Sequence, residues 1–257
     1  EKIGIFGDYD VDGASSTALL GNFFSYLKIP YEIYIPDRRK EGYGPSINAF
    51  KKLIDNGVQL IFTVDCGTLS FDAIKYANQK NIDVIVLDHH QSEVKLPDAY
   101  SVINPNRIDD KSNLNYLCAA GVTFVFLVSL NKELRSNNWF IEKNINEPNL
   151  INYLDLVSLG TICDVVPLVG LNRAIVKQGL KILKLKKNLG LKTLLDFCDI
   201  STSPKVYHLG YYLGPRINAG GRVGKSSHGA NLLLSSNPKD AFKLASELDI
   251  FNRQRQI

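Results

Sequence analysis

Residues 3–6, 31–35, 60–64 and 82–87 form short runs rich in apolar and β-branched side chains, and the first three lead into helical periodicity at 14–27, 45–55 and 71–79. Runs this short suit strands covered on both faces rather than buried helices. Strands alternating with helices need crossover connections, so the expected fold class is α/β, a mostly parallel sheet with helices on both faces. In such sheets ligands bind beyond the carboxyl ends of the strands. Three of the runs lead straight into acidic residues: Gly7-Asp8-Tyr9-Asp10-Val11-Asp12-Gly13, Asp65-Cys66-Gly67 and Asp88-His89-His90. The topology therefore gathers these three segments at one edge.

Asp8, Asp10 and Asp12 alternate, and in an extended segment alternate side chains point the same way. So much negative charge in one place is unfavourable without a cation. The competing reading is a solvated acidic loop, since Asp and Gly are ordinary turn residues. The histidines are either ligands or a satisfied pair at a strand end. Asp164 interrupts the apolar run Thr161-Ile162-Cys163-Asp164-Val165-Val166-Pro167-Leu168, where an unpaired carboxylate is costly to bury; it either caps a helix or binds a cation. Asp10, Asp12, Asp65, His89 and Asp164 together offer four carboxylates and one imidazole. That hard donor set suits Mn²⁺ or Mg²⁺. Two such ions ~3.5–4 Å apart form a clamp suited to a phosphoryl centre.

Further helices are expected at 119–130, 153–160, 172–183 and 191–197 and from residue 238 onward, with a surface connection at 139–150 and a solvated lysine-rich face at 181–187. Leu213-Gly214-Pro215-Arg216-Ile217-Asn218-Ala219-Gly220-Gly221-Arg222 reads as a glycine-rich loop, able to bring backbone amides and guanidinium groups to phosphate oxygens. The 257 residues, 45% of them hydrophobic, are enough for a large core. A net charge of +4 permits a polyanionic partner without requiring one. No run approaches the ~20 apolar residues of a membrane span and no signal pattern opens the chain, so a soluble cytoplasmic protein without a membrane partner is expected. Cys66, Cys118, Cys163 and Cys198 lack metal-ribbon spacing and are expected to be buried thiols. The chain lacks Met, opens directly on a strand and closes inside a helical pattern. It is expected to be part of a longer protein.

Asp8-Tyr9-Asp10-Val11-Asp12-Gly13, Val64-Asp65-Cys66-Gly67, Asp88-His89-His90 and the run from Gly160 to Leu168 resemble, in order, the four motifs of the DHH phosphoesterase superfamily. Ile35-Pro36-Asp37-Arg38 through Gly44, together with the segment from Gly214 to Arg222, resemble its single-strand-specific 5′ exonucleases. The resemblance implies two divalent ions, Mn²⁺ or Mg²⁺: one on Asp10, the other on Asp12, His89 and Asp164, with Asp65 bridging. It further implies that Asp8 stands behind the ligands, that Asp88 orients a histidine and that His90 faces the scissile phosphate. Arg216 would contact that phosphate, Arg38 would receive the 5′ end of the DNA, and Asn218 and Arg222 would join the substrate contacts. The implied activity is 5′ to 3′ hydrolysis of single-stranded DNA in repair and recombination. A single-strand-binding protein and a helicase are the implied partners, engaged by a monomer. Residues 1–235 would form the catalytic domain and 236–257 the start of an interdomain helix, with DHH-associated and OB-type domains elsewhere in the parent protein. Phe6 stands where the pyrophosphatase branch has a histidine, which argues against that activity. Two alternatives remain, a phosphodiesterase for oligoribonucleotides or cyclic dinucleotides and a non-catalytic scaffold of the same fold.

Overall fold

The computed structural model describes residues 1–223 and 225–256. Five parallel strands, β1 (Ile3–Gly7), β2 (Tyr31–Tyr34), β3 (Leu60–Val64), β4 (Asp83–Leu87) and β5 (Ser101–Ile103), are ordered β2-β1-β3-β4-β5. Alternation within each strand divides its side chains between two cores. Ile3, Ile5, Phe62, Val64 and Leu87 face one core; Phe6, Ile61, Val84, Val86 and Val102 face the other. Fully burying one such side chain stabilises the fold by about 1.5–3 kcal/mol. The second core is closed by α2 (Ile47–Asp55) and α3 (Phe71–Gln79) through Phe50, Leu53, Ile74 and Ala77.

The chain leaves β1 through α1 (Val11–Tyr26), adds β2 on one side, and returns through α2 to add β3 on the other side of β1. The order therefore reverses between β1 and β3, where a doubly wound sheet opens a crevice at its carboxyl edge. α1 is buried from Val11 to Gly21, because the sheet covers one side and helices of the second half cover the other. The second half comprises α4 (Ala119–Ser136), α5 (Trp139–Glu142), α6 (Leu154–Cys163), α7 (Gly170–Lys184), α8 (Leu189–Phe197), α9 (Val206–His208), α10 (Gly214–Val223), α11 (His228–Leu234) and α12 (Pro238–Gln256), of which α4, α6, α10 and α11 pack on α1. Ala241, Ala245 and Leu248 bring α12 into the same core.

Four expectations change. β5 has only three residues, too few for a periodic signal, and it holds its place by pairing with β4 through Val86↔Val102 and Leu87↔Ile103. The surface connection at 139–150 begins with a helical turn, α5, that buries Phe140. Cys163 and Cys198 are only partly buried, whereas Cys66 and Cys118 are fully so. The glycine-rich segment 213–222 is a helix, α10, reached through a π turn at Leu209–Leu213. Its Gly221 permits close approach rather than a turn, since a Cβ there would lie 2.9 Å from Tyr9 Cδ2. Most amides of this segment are spent on helix bonds, and they are not available to cradle a phosphate.

Candidate metal centre

Asp8 leaves the end of β1 and is buried. Asp10 caps α1, its Oδ1 accepting the Gly13 N–H at 2.9 Å. Asp12 already lies in the first helical turn, so the three acids converge through a cap and a helix turn rather than through extended alternation. Both oxygens of Asp12 accept backbone N–H groups at the start of α4, from Ala119 at 2.6 Å and Ala120 at 2.9 Å. A carboxylate is favoured there by the unpaired amides of the helix start.

Asp65 follows β3 with φ +61, the left-handed region that non-glycine residues seldom occupy. The Tyr43 hydroxyl donates to its carbonyl at 2.9 Å. His89 follows β4, and its Nε2 lies 3.2 Å from Asp65 Oδ1, 3.7 Å from Asp12 Oδ2 and 3.7 Å from Asp164 Oδ2. Asp164 closes the end of α6. Three separate segments thus aim carboxylates at one imidazole nitrogen. Ligand atoms of Asp12, His89 and Asp164 lie within 4.8 Å of one another, as do those of Asp8, Asp10 and Asp65, and those of Asp65, His89 and His90. Asp8 thus shares one cluster with Asp10 and Asp65.

Burial followed by the neighbouring carboxylates raises three acids: Asp8 to about 7, with Asp10 as neighbour; Asp12 to about 8, with Asp164 and Asp10; Asp164 to about 6, with Asp10. The same causes, burial and then Asp12 and Asp10, raise Asp65 well above the carboxylate range. Burial and His90 together hold His89 below its ordinary value. Asp88 behaves differently. Burial pushes its carboxyl up, but hydrogen bonds from His90 Nδ1 at 2.8 Å and the Thr68 N–H at 3.0 Å outweigh that and hold it well below the usual range. The histidine that Asp88 orients is therefore His90.

Two buried oxygens of the cluster, Asp8 Oδ1 and Asp65 Oδ1, have no hydrogen-bond donor among the described residues. The 3.2 Å approach of His89 Nε2 to Asp65 Oδ1 lacks hydrogen-bond geometry. Among the described residues, no lysine or arginine pairs with Asp8, Asp10, Asp12, Asp65 or Asp164. Such a cluster stays protonated or takes up cations. Hard oxygens with one or two imidazoles suit Mn²⁺ or Mg²⁺, so the residues fit a pair of these ions.

Residues 2–161 match the DHH family, N-terminal domain. The chain belongs to the DHH family. It is 42% identical to a relative from Salmonella typhimurium named "Single-stranded-DNA-specific exonuclease RecJ", across 99% of this chain and 45% of the relative. It thus spans about half the length of such relatives. A crystal structure of exonuclease RecJ bound to manganese superposes with a TM-score of 0.86 at 32% identity, over 99% of this chain and 62% of that one. RecJ of Thermus thermophilus in complex with Mn²⁺ gives 0.82 at 30% identity, over 99% and 35%.

The remaining candidates of this DHH chain divide. Arg38 lies over the Tyr9 ring, 5.2 Å from its centroid, and Arg222 acts electrostatically on the same tyrosine. Arg39 ties the two segments by donating to the Arg222 carbonyl at 2.7 Å. Arg216 is not brought to the cluster. Its Nε donates to Asp249 Oδ1 and its Nη1 to the Tyr212 carbonyl, both at 2.9 Å, because Asp249 on α12 is a buried carboxylate that needs a cation. Asn218 lies on another flank, in a groove of about 870 Å³ beside Asp164 that Cys163, Val165, Tyr207 and Tyr211 also line. Sequence reasoning passed over Tyr43, Thr68, Asn104 and Asn106. The signal for the asparagines was their place directly after β5, a strand too short to be recognised.

Proposed function

We propose that this chain carries the hydrolytic centre of a single-strand-specific exonuclease that uses two divalent ions, Mn²⁺ or Mg²⁺, to remove nucleotides from the 5′ end of DNA. The observation that carries the reading is the buried carboxylate cluster, with donorless oxygens on Asp8 and Asp65 and, among the described residues, no lysine or arginine paired to it. In this reading Asp10 holds one ion, Asp12, His89 and Asp164 hold the other, and Asp65 serves both. Asp8, at ligand distance from Asp10 and Asp65, assists the first. When bound, such ions supply Lewis acidity and neutralise charge at the phosphoryl centre.

The chain's own residues do the rest. Asp88 fixes His90 through Nδ1 and leaves Nε2 to meet a phosphate oxygen. Arg38 and Arg222, at the Tyr9 rim, offer guanidinium groups to the 5′-terminal phosphate. Asn218 meets the strand in the groove beside Asp164. Arg216 acts by tying α10 to α12. Residues 1–235 form the catalytic unit and 236–257 begin the connection to further domains of the parent protein. The parent acts in the cytoplasm as a monomer, in repair and recombination, with a single-strand-binding protein and a helicase. No helix among the described residues is long and apolar enough to cross a membrane.

The test compares hydrolysis by the parent protein of a 5′-labelled single strand, its duplex and a dinucleotide, each with Mn²⁺ or with EDTA. Metal-dependent release of labelled mononucleotide from the single strand is expected. Faster turnover of the dinucleotide would move the reading to a small-substrate phosphodiesterase. No cleavage of any substrate would make the chain a scaffold.

A further inference from the structure

The turn after β4 is held by residues outside the acidic cluster. His89 and His90 both donate their backbone N–H to Asp88 Oδ1, at 2.7 and 3.2 Å. Their carbonyls are taken up by the segment after β5: Asn106 Nδ2 donates to the His89 carbonyl, and Asn104 Nδ2 to the His90 carbonyl at 2.8 Å. The peptide groups on both sides of each histidine are therefore fixed. A ring closes around them. Asn104 Nδ2 also donates to Thr68 Oγ1 at 2.9 Å, and Asn104 Oδ1 accepts the Asn106 N–H at 2.8 Å. Thr68 returns to Asp88 through its own N–H at 3.0 Å. Asp88, Thr68 and Asn104 are all buried, so a partner lost from this ring leaves a polar group unsatisfied away from water.

We infer that Asn104 and Asn106 are positioning residues that fix the backbone of both histidines and thereby aim His89 Nε2 at Asp12, Asp65 and Asp164. The consequence for metal binding rests on the two-ion reading; the backbone clamp does not. Residues that orient metal-ligating histidines typically contribute about 10–100-fold in metal affinity or activity.

Asn106 is the better target, because it is only half-buried and its loss leaves the Asn104 bonds to Thr68 and His90 in place. Asn106→Ala removes the donor to His89; Asn106→Asp keeps the shape but sets an acceptor against the carbonyl. Hydrogen exchange of the 88–91 segment in EDTA is expected to quicken about tenfold in Asn106→Ala and further in Asn106→Asp, with β1 and β3 unchanged. Calorimetry with Mn²⁺ alone should show the affinity of at least one ion falling about tenfold or more, in the same order. Turnover should fall at limiting Mn²⁺ and recover in excess, while KM for DNA stays within about twofold. Unchanged exchange overturns the clamp. Faster exchange with wild-type Mn²⁺ affinity overturns the positioning role. A wild-type chain that binds no Mn²⁺ defeats the two-ion reading, while exchange still decides the clamp.

Discussion

Asp65 combines a buried, donorless carboxylate oxygen with a left-handed backbone. Replacing it with Ala removes a buried like charge from the cluster, a relief larger than the better tolerance of Asp than Ala for the left-handed region that is given up. The metal-free chain should therefore melt no lower than wild type, while Mn²⁺ calorimetry loses at least one ion and activity is abolished. Two ions bound to Asp65→Ala at wild-type affinity would remove Asp65 from the centre. Asp155 shows the cost of burial without such a role. Burial raises its carboxyl to about 7, and the Leu156 N–H, which donates to Oδ1 at 2.8 Å, only partly opposes that. A carboxyl raised on folding binds its proton more tightly in the native state, so its contribution is present at low pH and lost as pH climbs from the unfolded value of about 4 through about 7. Asp155→Asn keeps the acceptor for Leu156 and never ionises. Its Tm gain should be larger at about pH 8 than at about pH 5, by thermal melts in EDTA; an equal gain at both would show that Asp155 is not strained by ionisation.

Between elements, the cluster depends on how closely helices cross. A Cβ on Gly160 of α6 would stand 2.6 Å from Asp12 Oδ1 and 2.7 Å from the Ala120 Cβ on α4. The site needs a hydrogen atom at that crossing. In Gly160→Ala the overpacking cost of ~1–3 kcal/mol exceeds the gain of up to ~1 kcal/mol from alanine's helix preference. The variant should therefore melt lower and bind Mn²⁺ more weakly, because the carboxylate that moves aside is a proposed ligand. Wild-type melting and metal affinity would show that α6 can slide away without disturbing Asp12. The contrast between α10 and the expected loop has a similar origin. Pro and Gly in 213–222 carry turn propensity locally, yet Ile217 and Ala219 are buried in a helix packed on α12, and tertiary contacts override the weaker local preference.

At the scale of the whole molecule, ion binding and folding are linked. An ion that binds only the native state stabilises it by ~2.7 kcal/mol at a hundredfold excess over its Kd. For a chain of this size that is a rise in Tm of roughly 5–10 °C per ion. The ligands must be deprotonated to bind, and Asp8, Asp12 and Asp164 are raised to about 7, about 8 and about 6. The rise in Tm on adding Mn²⁺ should therefore be larger at about pH 8 than at about pH 6; a pH-independent rise would mean that ions bind away from these acids. The sequence by itself determined the parallel sheet and the acids that meet at its edge, because strand periodicity and the carboxyl-edge rule are local properties that survive any packing of the second half. It also exposed Asp10, Asp12, Asp65 and His89, which follow apolar strands, and Asp164, which interrupts an apolar run. Only the tertiary structure set Asp8 within 4.8 Å of Asp10 and Asp65 and gave Asp88 the ring of His90 rather than that of His89. It alone committed Arg216 to Asp249 and drew Asn104 and Asn106 onto the histidine turn. Each of these depends on which hydrogen-bond partner lies nearest once distant segments pack, and residue spacing carries no record of that distance.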